Sequence, residues 1–355
     1  MKTALKRAGD FAARFDLKVP IMLAPMAGAC PPSLSIAVAN AGGLGACGAL
    51  RMTPDAILDW AREVRSRSTG AFQMNLWIPD PRPIRDADAE ARLRTFLERW
   101  GPGVPAITSE TETFVFEAQC DALLASDAPI VSSIMGLYPA PFVRRMKDGG
   151  VAWFATVTTV AEARMAAEAG ADVIVAQGSE AGGHRGAFDP ERAGQQLVGL
   201  FSLLPAIVDA VNVPVVATGG IADARGITAA LALGASAVQI GTGFLRCPEA
   251  KLHPVWADTL SRTLPEDTCV TRAFTGRAAR SVANAYVFAA NAQDAPAPMT
   301  YPLQRDLTAA IRDDAARQGD AQRMQLWAGQ SAILARPTPA AKLVHELWGQ
   351  VSAPL

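Results

Sequence analysis

Eight short, nearly unbroken apolar runs, each separated from the next by a helix-like stretch, limit what this chain can fold into. They are Ile21–Ala24, Leu44–Leu50, Phe72–Ile78, Pro129–Met135, Val151–Val157, Asp172–Ala176, Val213–Thr218 and Ala237–Gly241. Runs of this length without alternation fit strands buried on both faces, as in a parallel sheet covered by helices. The stretches between them carry helix punctuation. Thr53-Pro54-Asp55 gives an N-cap, a first-turn proline and an acidic residue ahead of Ala56–Arg67. Val160–Ala169 stops at Gly170 and Asp223–Leu233 stops at Gly234, the residue type that most often ends a helix. Eight such alternations within about 250 residues are the arithmetic of a (β/α)8 TIM barrel. A doubly wound open sheet is the rival.

After about Cys247 the chain changes character. Strand-like runs largely stop, prolines gather at Pro296, Pro298 and Pro302, and helix-like stretches follow at Leu307–Arg317, Ala321–Leu334 and Ala340–Gln350. The expected organisation is a barrel over 1–250 and a mainly helical cap over 251–355, with its last helices packing on the barrel.

Composition removes several function classes. With 33 basic against 34 acidic residues, no lobe has the basic excess that phosphate neutralisation needs, so nucleic acid is not an expected partner. The five cysteines are odd in number, widely spaced and form no CxxC pair, and there are three histidines; a zinc site is not expected. Free thiols of this kind suit a reducing compartment. Residues 1–20 mix charges with short apolar pieces, and no later run has the length of a membrane span. The expectation is a soluble, cytoplasmic protein with no membrane partner. A homodimer is a plausible assembly, two-fold homo-oligomers being the commonest.

One glycine motif is a decoy. Gly43-Leu44-Gly45-Ala46-Cys47-Gly48 matches G-x-G-x-x-G, but it follows a helix and runs into a strand. A dinucleotide site needs the reverse order, so that pyrophosphate meets a helix N-terminus. Two other clusters sit better: Thr218-Gly219-Gly220-Ile221 ends the seventh run and Gln239-Ile240-Gly241-Thr242-Gly243 ends the eighth. Loops after strands 7 and 8 of a barrel often bind phosphate through bare backbone N–H groups.

The sixth run leads into Gln177-Gly178-Ser179-Glu180-Ala181-Gly182-Gly183-His184-Arg185-Gly186. His184 therefore falls at the carboxyl end of a barrel strand, where barrel active sites lie. An imidazole there could take a proton from a weak carbon acid or hydrogen-bond an anionic substrate. His253 and His345 read as structural or surface residues, and Glu180 as a loop-end acceptor. Asn75, polar within an apolar run, must meet a ligand or a backbone group. Met26, in Ala24-Pro25-Met26-Ala27-Gly28, could lie against a flat ring or simply fill space.

Taken together, Ala24–Gly28, Ala41–Gly45, Gln177–Gly186, Gly219–Ile221 and Gln239–Phe244 resemble the nitronate monooxygenase family, formerly 2-nitropropane dioxygenases. The likeness is dense over about 20–250. It is thinner through Phe274–Arg280, Tyr301–Thr308 and Trp327–Ser331. It implies a (β/α)8 barrel holding non-covalent FMN at its C-terminal face, with the phosphate on Gly219, Gly220, Gly241 and Thr242. Met26, Gly28, Asn75, Gln177, Gly182 and Gln239 would contact the cofactor. His184 would act on the substrate, as base toward neutral nitroalkanes or as partner to an anionic nitronate. The implied reaction oxidises alkyl nitronates with O2 to a carbonyl compound and nitrite, without NADH. Tyr301 is the lid candidate, and with three tyrosines in the chain an aromatic lid is expected to be thin. Ser132-Ser133-Ile134-Met135-Gly136 departs from the aromatic-rich Ser-Phe-x-x-Gly of the family, which leaves the substrate open.

Two other functions stay in view. One is NAD(P)H-dependent flavin reduction of a quinone or an enoyl thioester on the same scaffold. The other is a non-catalytic flavin- or ligand-binding barrel.

Overall fold

In the computed structural model, which describes residues 1–81, 83–103 and 115–352, each of the eight apolar runs becomes a strand. In chain order they are β1 (Ile21–Leu23), β2 (Gly45–Gly48), β3 (Phe72–Trp77), β4 (Ile130–Ile134), β5 (Ala152–Val157) and β6 (Val173–Gln177). A two-residue strand outside the barrel, β7 (Gly183–His184), precedes β8 (Val215–Thr218) and β9 (Ala237–Ile240). All neighbouring barrel strands pair in parallel, in the order β1-β9-β8-β6-β5-β4-β3-β2. A parallel bridge between Met22 and Leu44 joins β1 to β2. The expected (β/α)8 barrel is the observed fold.

Helix boundaries follow the sequence punctuation. Helix Pro54–Arg67 begins with the Thr53 hydroxyl accepting from the Ala56 amide. Helix Val160–Glu168 carries a full capping box in which Thr159 and Glu162 satisfy each other's orphan amides. Gly170 and Gly234 take φ of +98° and +110° just past their helices, values that only glycine adopts without strain. The decoy glycines also behave as read. Gly45–Gly48 is a strand, and a side chain on Gly48 would lie 2.6 Å from the Ala27 amide nitrogen.

The barrel interior is filled at its N-terminal end by Met22, Leu44, Ile130, Phe154, Val173, Val175 and Val216. Helix Lys2–Arg14 closes that end, with Phe11 and Phe15 set against Phe154. The opposite end is left for the site.

Beyond β9 the chain differs from the helical expectation in two places. Thr268–Thr271 (β10) and Ala279–Val282 (β11) form an antiparallel pair that β7 joins as a third strand. Ala321–Leu334 is not a helix apart from a short turn at Ala332–Leu334. It runs as a strap tied sideways. Trp327 bridges to Ser281, the Gln330 amide donates to the Glu180 carbonyl, and Ser331 Oγ donates to the Gly220 carbonyl. Those partners replace the i→i−4 bonds that a helix would have used.

Helices Ala309–Gln318 and Ala340–Ser352 match helix-like stretches of the sequence, while helix Leu303–Leu307 ends where the expected stretch Leu307–Arg317 begins; residues 353–355 lie outside the described residues. The lobe has its own core, including Phe274, Tyr286, Leu303 and Leu307, which Leu93 and Leu97 of helix Ala87–Leu97 enter from the β3 side. Helix Ala340–Ser352 packs against helices Pro32–Asn40 and Ala224–Ala232 and inserts Leu343, Val344 and Leu347 into the main core. It thus fills the outer place between β9 and β1.

Leu343 is buried, so Leu343→Ala should cost about 2–5 kcal/mol. The expected signature is a lower urea midpoint with an unchanged slope.

Candidate active site

The carboxyl ends of the barrel strands surround a cavity of about 360 Å³, within the usual size range of cofactor and substrate pockets. Register brings its polar floor together. Gln177 pairs with Thr218, and Thr218 with Gln239, in one layer at the top of β6, β8 and β9.

The loops supply the rest, and every residue singled out from the sequence lines this one cavity. Met26 and Gly28 come from the loop after β1, Asn75 from β3, and Gln177 from β6. Gly182 and His184 follow β6, Gly219 and Gly220 follow β8, and Gln239, Gly241 and Thr242 come from β9 and its loop. Tyr301 arrives from the C-terminal lobe.

The two glycine loops have the chemistry of an anion cradle. Gly219 and Gly220 sit at φ of +110° and +68°. Among the described residues, the amide N–H groups of Gly219, Gly220, Gly241 and Thr242 donate to no protein acceptor. A side chain on Gly241 would meet Met26 Sδ at 3.4 Å, so glycine keeps this approach open. The strap secures both loops: Ser331 donates to the Gly220 carbonyl at 2.6 Å and the Gly329 amide to Thr242 Oγ1 at 3.0 Å. Unpaired N–H groups on two adjoining glycine loops that line one cavity suit a phosphate. The residues present therefore fit a phosphate-bearing cofactor such as a flavin nucleotide.

Gln177 has a second task. Its Oε1 accepts from Arg185 Nη1 (3.0 Å) and the Gly186 amide (2.8 Å), while its Nε2 donates to the His184 carbonyl (3.1 Å). The amide thus holds the loop that carries His184. Glu180 is the loop-end acceptor expected, receiving the Leu200 amide.

His184 is clamped. Its ring meets Trp77 edge-on at 4.7 Å and Trp327 at 5.2 Å, and its Nε2 lies 2.8 Å from Thr275 Oγ1. Burial first, and the Arg277 guanidinium second, push the imidazole down to about 3. Arg277 is itself held by Asp80 at 2.6 Å and by the Ala187 carbonyl. At neutral pH His184 is uncharged, a hydrogen-bonding group more than a strong base.

The aromatic wall is thicker than three tyrosines suggested, because tryptophans build it. Trp77 contacts both His184 and Tyr301, and Trp256 lines the cavity while its Nε1 donates to the Trp327 carbonyl. Trp77 ends β3 inside the third apolar run, Phe72–Ile78, but was not singled out there; Thr275 and Trp327 reach the site only through tertiary pairing. Arg51, Arg305 and Arg312 stand at the mouth, and their mutual repulsion adds to burial in lowering Arg51 and Arg312.

Fold and cavity give a (β/α)8 barrel with a pocket at the carboxyl ends of its strands, and the family match makes it an enzyme, a flavin-dependent oxidoreductase. A family model described as nitronate monooxygenase matches residues 11–350, and the chain belongs to the nitronate monooxygenase family. A probable nitronate monooxygenase of Staphylococcus aureus (strain MSSA476) is 34% identical over 340 residues, covering 95% of each chain. One from Staphylococcus saprophyticus is 36% identical over 342 residues, covering 95% of this chain and 96% of the relative. Among solved structures, the nitroalkane oxidase from Streptomyces ansochromogenes is 36% identical with a TM-score of 0.87, covering 96% of this chain and 98% of that one. FabK from Thermotoga maritima is 28% identical with a TM-score of 0.75, covering 96% and 95%.

The depressed His184 has a sign that can be checked. Below about pH 6.5 an unfolded histidine takes a proton that the folded site refuses until about pH 3, so stability falls as pH drops through that window. In His184→Gln the Tm should decline less between pH 6.5 and 4 than in the native chain. An equal decline would place the ring in a more polar setting.

Proposed function

We propose that the protein binds FMN and oxidises alkyl nitronates with O2, giving a carbonyl compound and nitrite. The observation that carries this is the His184 imidazole, clamped by two tryptophans in the same cavity as an array of unpaired loop amides.

When bound, FMN supplies the electron-transfer and oxygen chemistry. The chain's own residues have smaller tasks. The amides of Gly219, Gly220, Gly241 and Thr242 would hold the phosphoryl end, and Gln239 and Asn75, which line the same cavity, would meet the ring. Trp77, Trp327 and Tyr301 exclude water from the reacting carbon. A nitronate is already ionised, so it needs no base. It needs a hydrogen-bond donor, which a neutral His184 provides through its Nδ1–H in the tautomer whose Nε2 accepts from Thr275 Oγ1. A base pushed down to about 3 is poorly matched to a carbon acid that ionises near or above neutrality. Neutral nitroalkanes should therefore be the slower substrates.

The purified protein should be yellow and, given ethyl nitronate, should consume O2 and release nitrite. His184→Phe, which removes the donor, should lower kcat/KM on ethyl nitronate by about tenfold and no more than that on neutral nitroethane. Colourless protein that FMN cannot reconstitute, or absence of nitrite, would sink the proposal.

The mouth arginines keep a second reading in view. Arg51, Arg305 and Arg312 would also suit the phosphates of a nicotinamide dinucleotide, as an NAD(P)H-dependent reductase of a quinone or enoyl thioester requires. Rapid anaerobic bleaching of the flavin by NADH or NADPH would favour that reading.

A further inference from the structure

Gln73 is fully buried on β3, with 0% exposure. An amide placed inside a barrel must find partners for both its ends. Its nitrogen end does: Nε2 donates to the Leu23 carbonyl at 3.2 Å and to Gln239 Oε1 at 3.0 Å. Its oxygen end does not, since Gln73 Oε1 is buried with no partner. Such an orphaned acceptor carries the full cost of its lost hydration.

The direction of these bonds is forced. A main-chain carbonyl can only accept, so Leu23 fixes the nitrogen end of Gln73 toward β1. The second hydrogen on that nitrogen points at Gln239, which can answer only with its oxygen. The nitrogen of Gln239 is thereby turned away from Gln73. Gln239 is 6% exposed and lines the cavity, and its Nε2 meets no partner among the described residues. Asn75 makes a useful contrast. It donates to Ser132 Oγ at 3.0 Å, but a hydroxyl both donates and accepts, so that contact imposes no direction.

We propose that Gln73 is a positioning residue for the cofactor. It passes the direction of the Leu23 carbonyl through two amides and presents Gln239 Nε2 as a fixed N–H donor to the isoalloxazine ring. This rests on the FMN reading given above. The ring's nitrogens and carbonyl oxygens gain electron density on reduction, so a fixed donor favours the reduced form and raises the reduction potential. The unsatisfied oxygen of Gln73 is the cost of keeping that donor aimed.

The test is a double-mutant cycle on reconstituted holoprotein, comparing wild type, Gln73→Met, Gln239→Met and the double variant. Midpoint potentials are read by dye equilibration, with FMN affinity and Tm measured alongside; Gln73→Leu repeats the arm should the Met variant fold poorly. Each single variant should weaken binding of reduced flavin about tenfold relative to oxidised flavin, a fall of about 30 mV for a two-electron couple. The double variant should fall no further than Gln239→Met alone. Additive shifts would overturn the relay, as would a Gln73 variant that lowers Tm but keeps the wild-type potential. Wild-type protein that takes up no flavin would overturn the relay and the FMN reading together; uptake with additive shifts would overturn the relay alone.

Discussion

The antiparallel pairing of Gly183–His184 with Ala279–Arg280 makes one site out of two distant parts of the chain. The Gln177 side-chain amide and the main-chain amides of Leu200 and Gln330 also hold the histidine loop, but this pairing fixes its far end. With it, the Thr275–Arg277 turn is brought beside the imidazole. Thr275 reaches Nε2, and Arg277 adds its charge to the effect of burial. The barrel supplies the glycine amides, and the C-terminal lobe decides what state the histidine is in. Chemistry and scaffold are therefore shared across the expected boundary near residue 250.

The same division of labour runs through the polar groups. Around the cavity nearly every side-chain amide has one end committed to the protein. Gln177 is spent on the His184 loop, Asn75 is tied to Ser132, and Gln239 is tied to Gln73. Among the described residues the Gln239 nitrogen is left free, on a residue that lines the cavity. A buried site cannot tolerate many loose polar ends, so the ends that stay loose mark where a ligand would complete the set. The glycine amides after β8 and β9 follow the same logic on the main chain.

Much of this was legible in the sequence because the signals are local. A strand buried on both faces needs only a run of apolar residues, and all eight runs matched. Glycines at positive φ mark their loops, which is why Gly219 and Gly220 could be singled out. Less local features were hidden. β10 and β11 are short and partly polar, Thr-Cys-Val-Thr and Ala-Arg-Ser-Val, with neither the length nor the alternation that signals a strand. Ala321–Leu334 has helix-forming composition, but its hydrogen bonds go to Ser281, Glu180 and Gly220, partners far away in sequence. Trp327 becomes part of the His184 clamp only through that strap. Gln73 looked like one more residue in an apolar run, and its partner Gln239 lies 166 positions away.

Helix Ala340–Ser352 occupies the seat between the helices that follow β1 and β8. A barrel ordinarily fills that seat with the helix that follows its last strand, but here about a hundred residues intervene. During synthesis, then, the strands can all have emerged while a gap persists in the outer ring. Through it the apolar flanks of helices Pro32–Asn40 and Ala224–Ala232 face water until Leu343, Val344 and Leu347 arrive. A nascent chain stalled anywhere in the lobe is thus a nearly finished barrel with a sticky seam, the kind of species that chaperones hold. The cavity loops, tied by the strap, settle only shortly before that seam is covered.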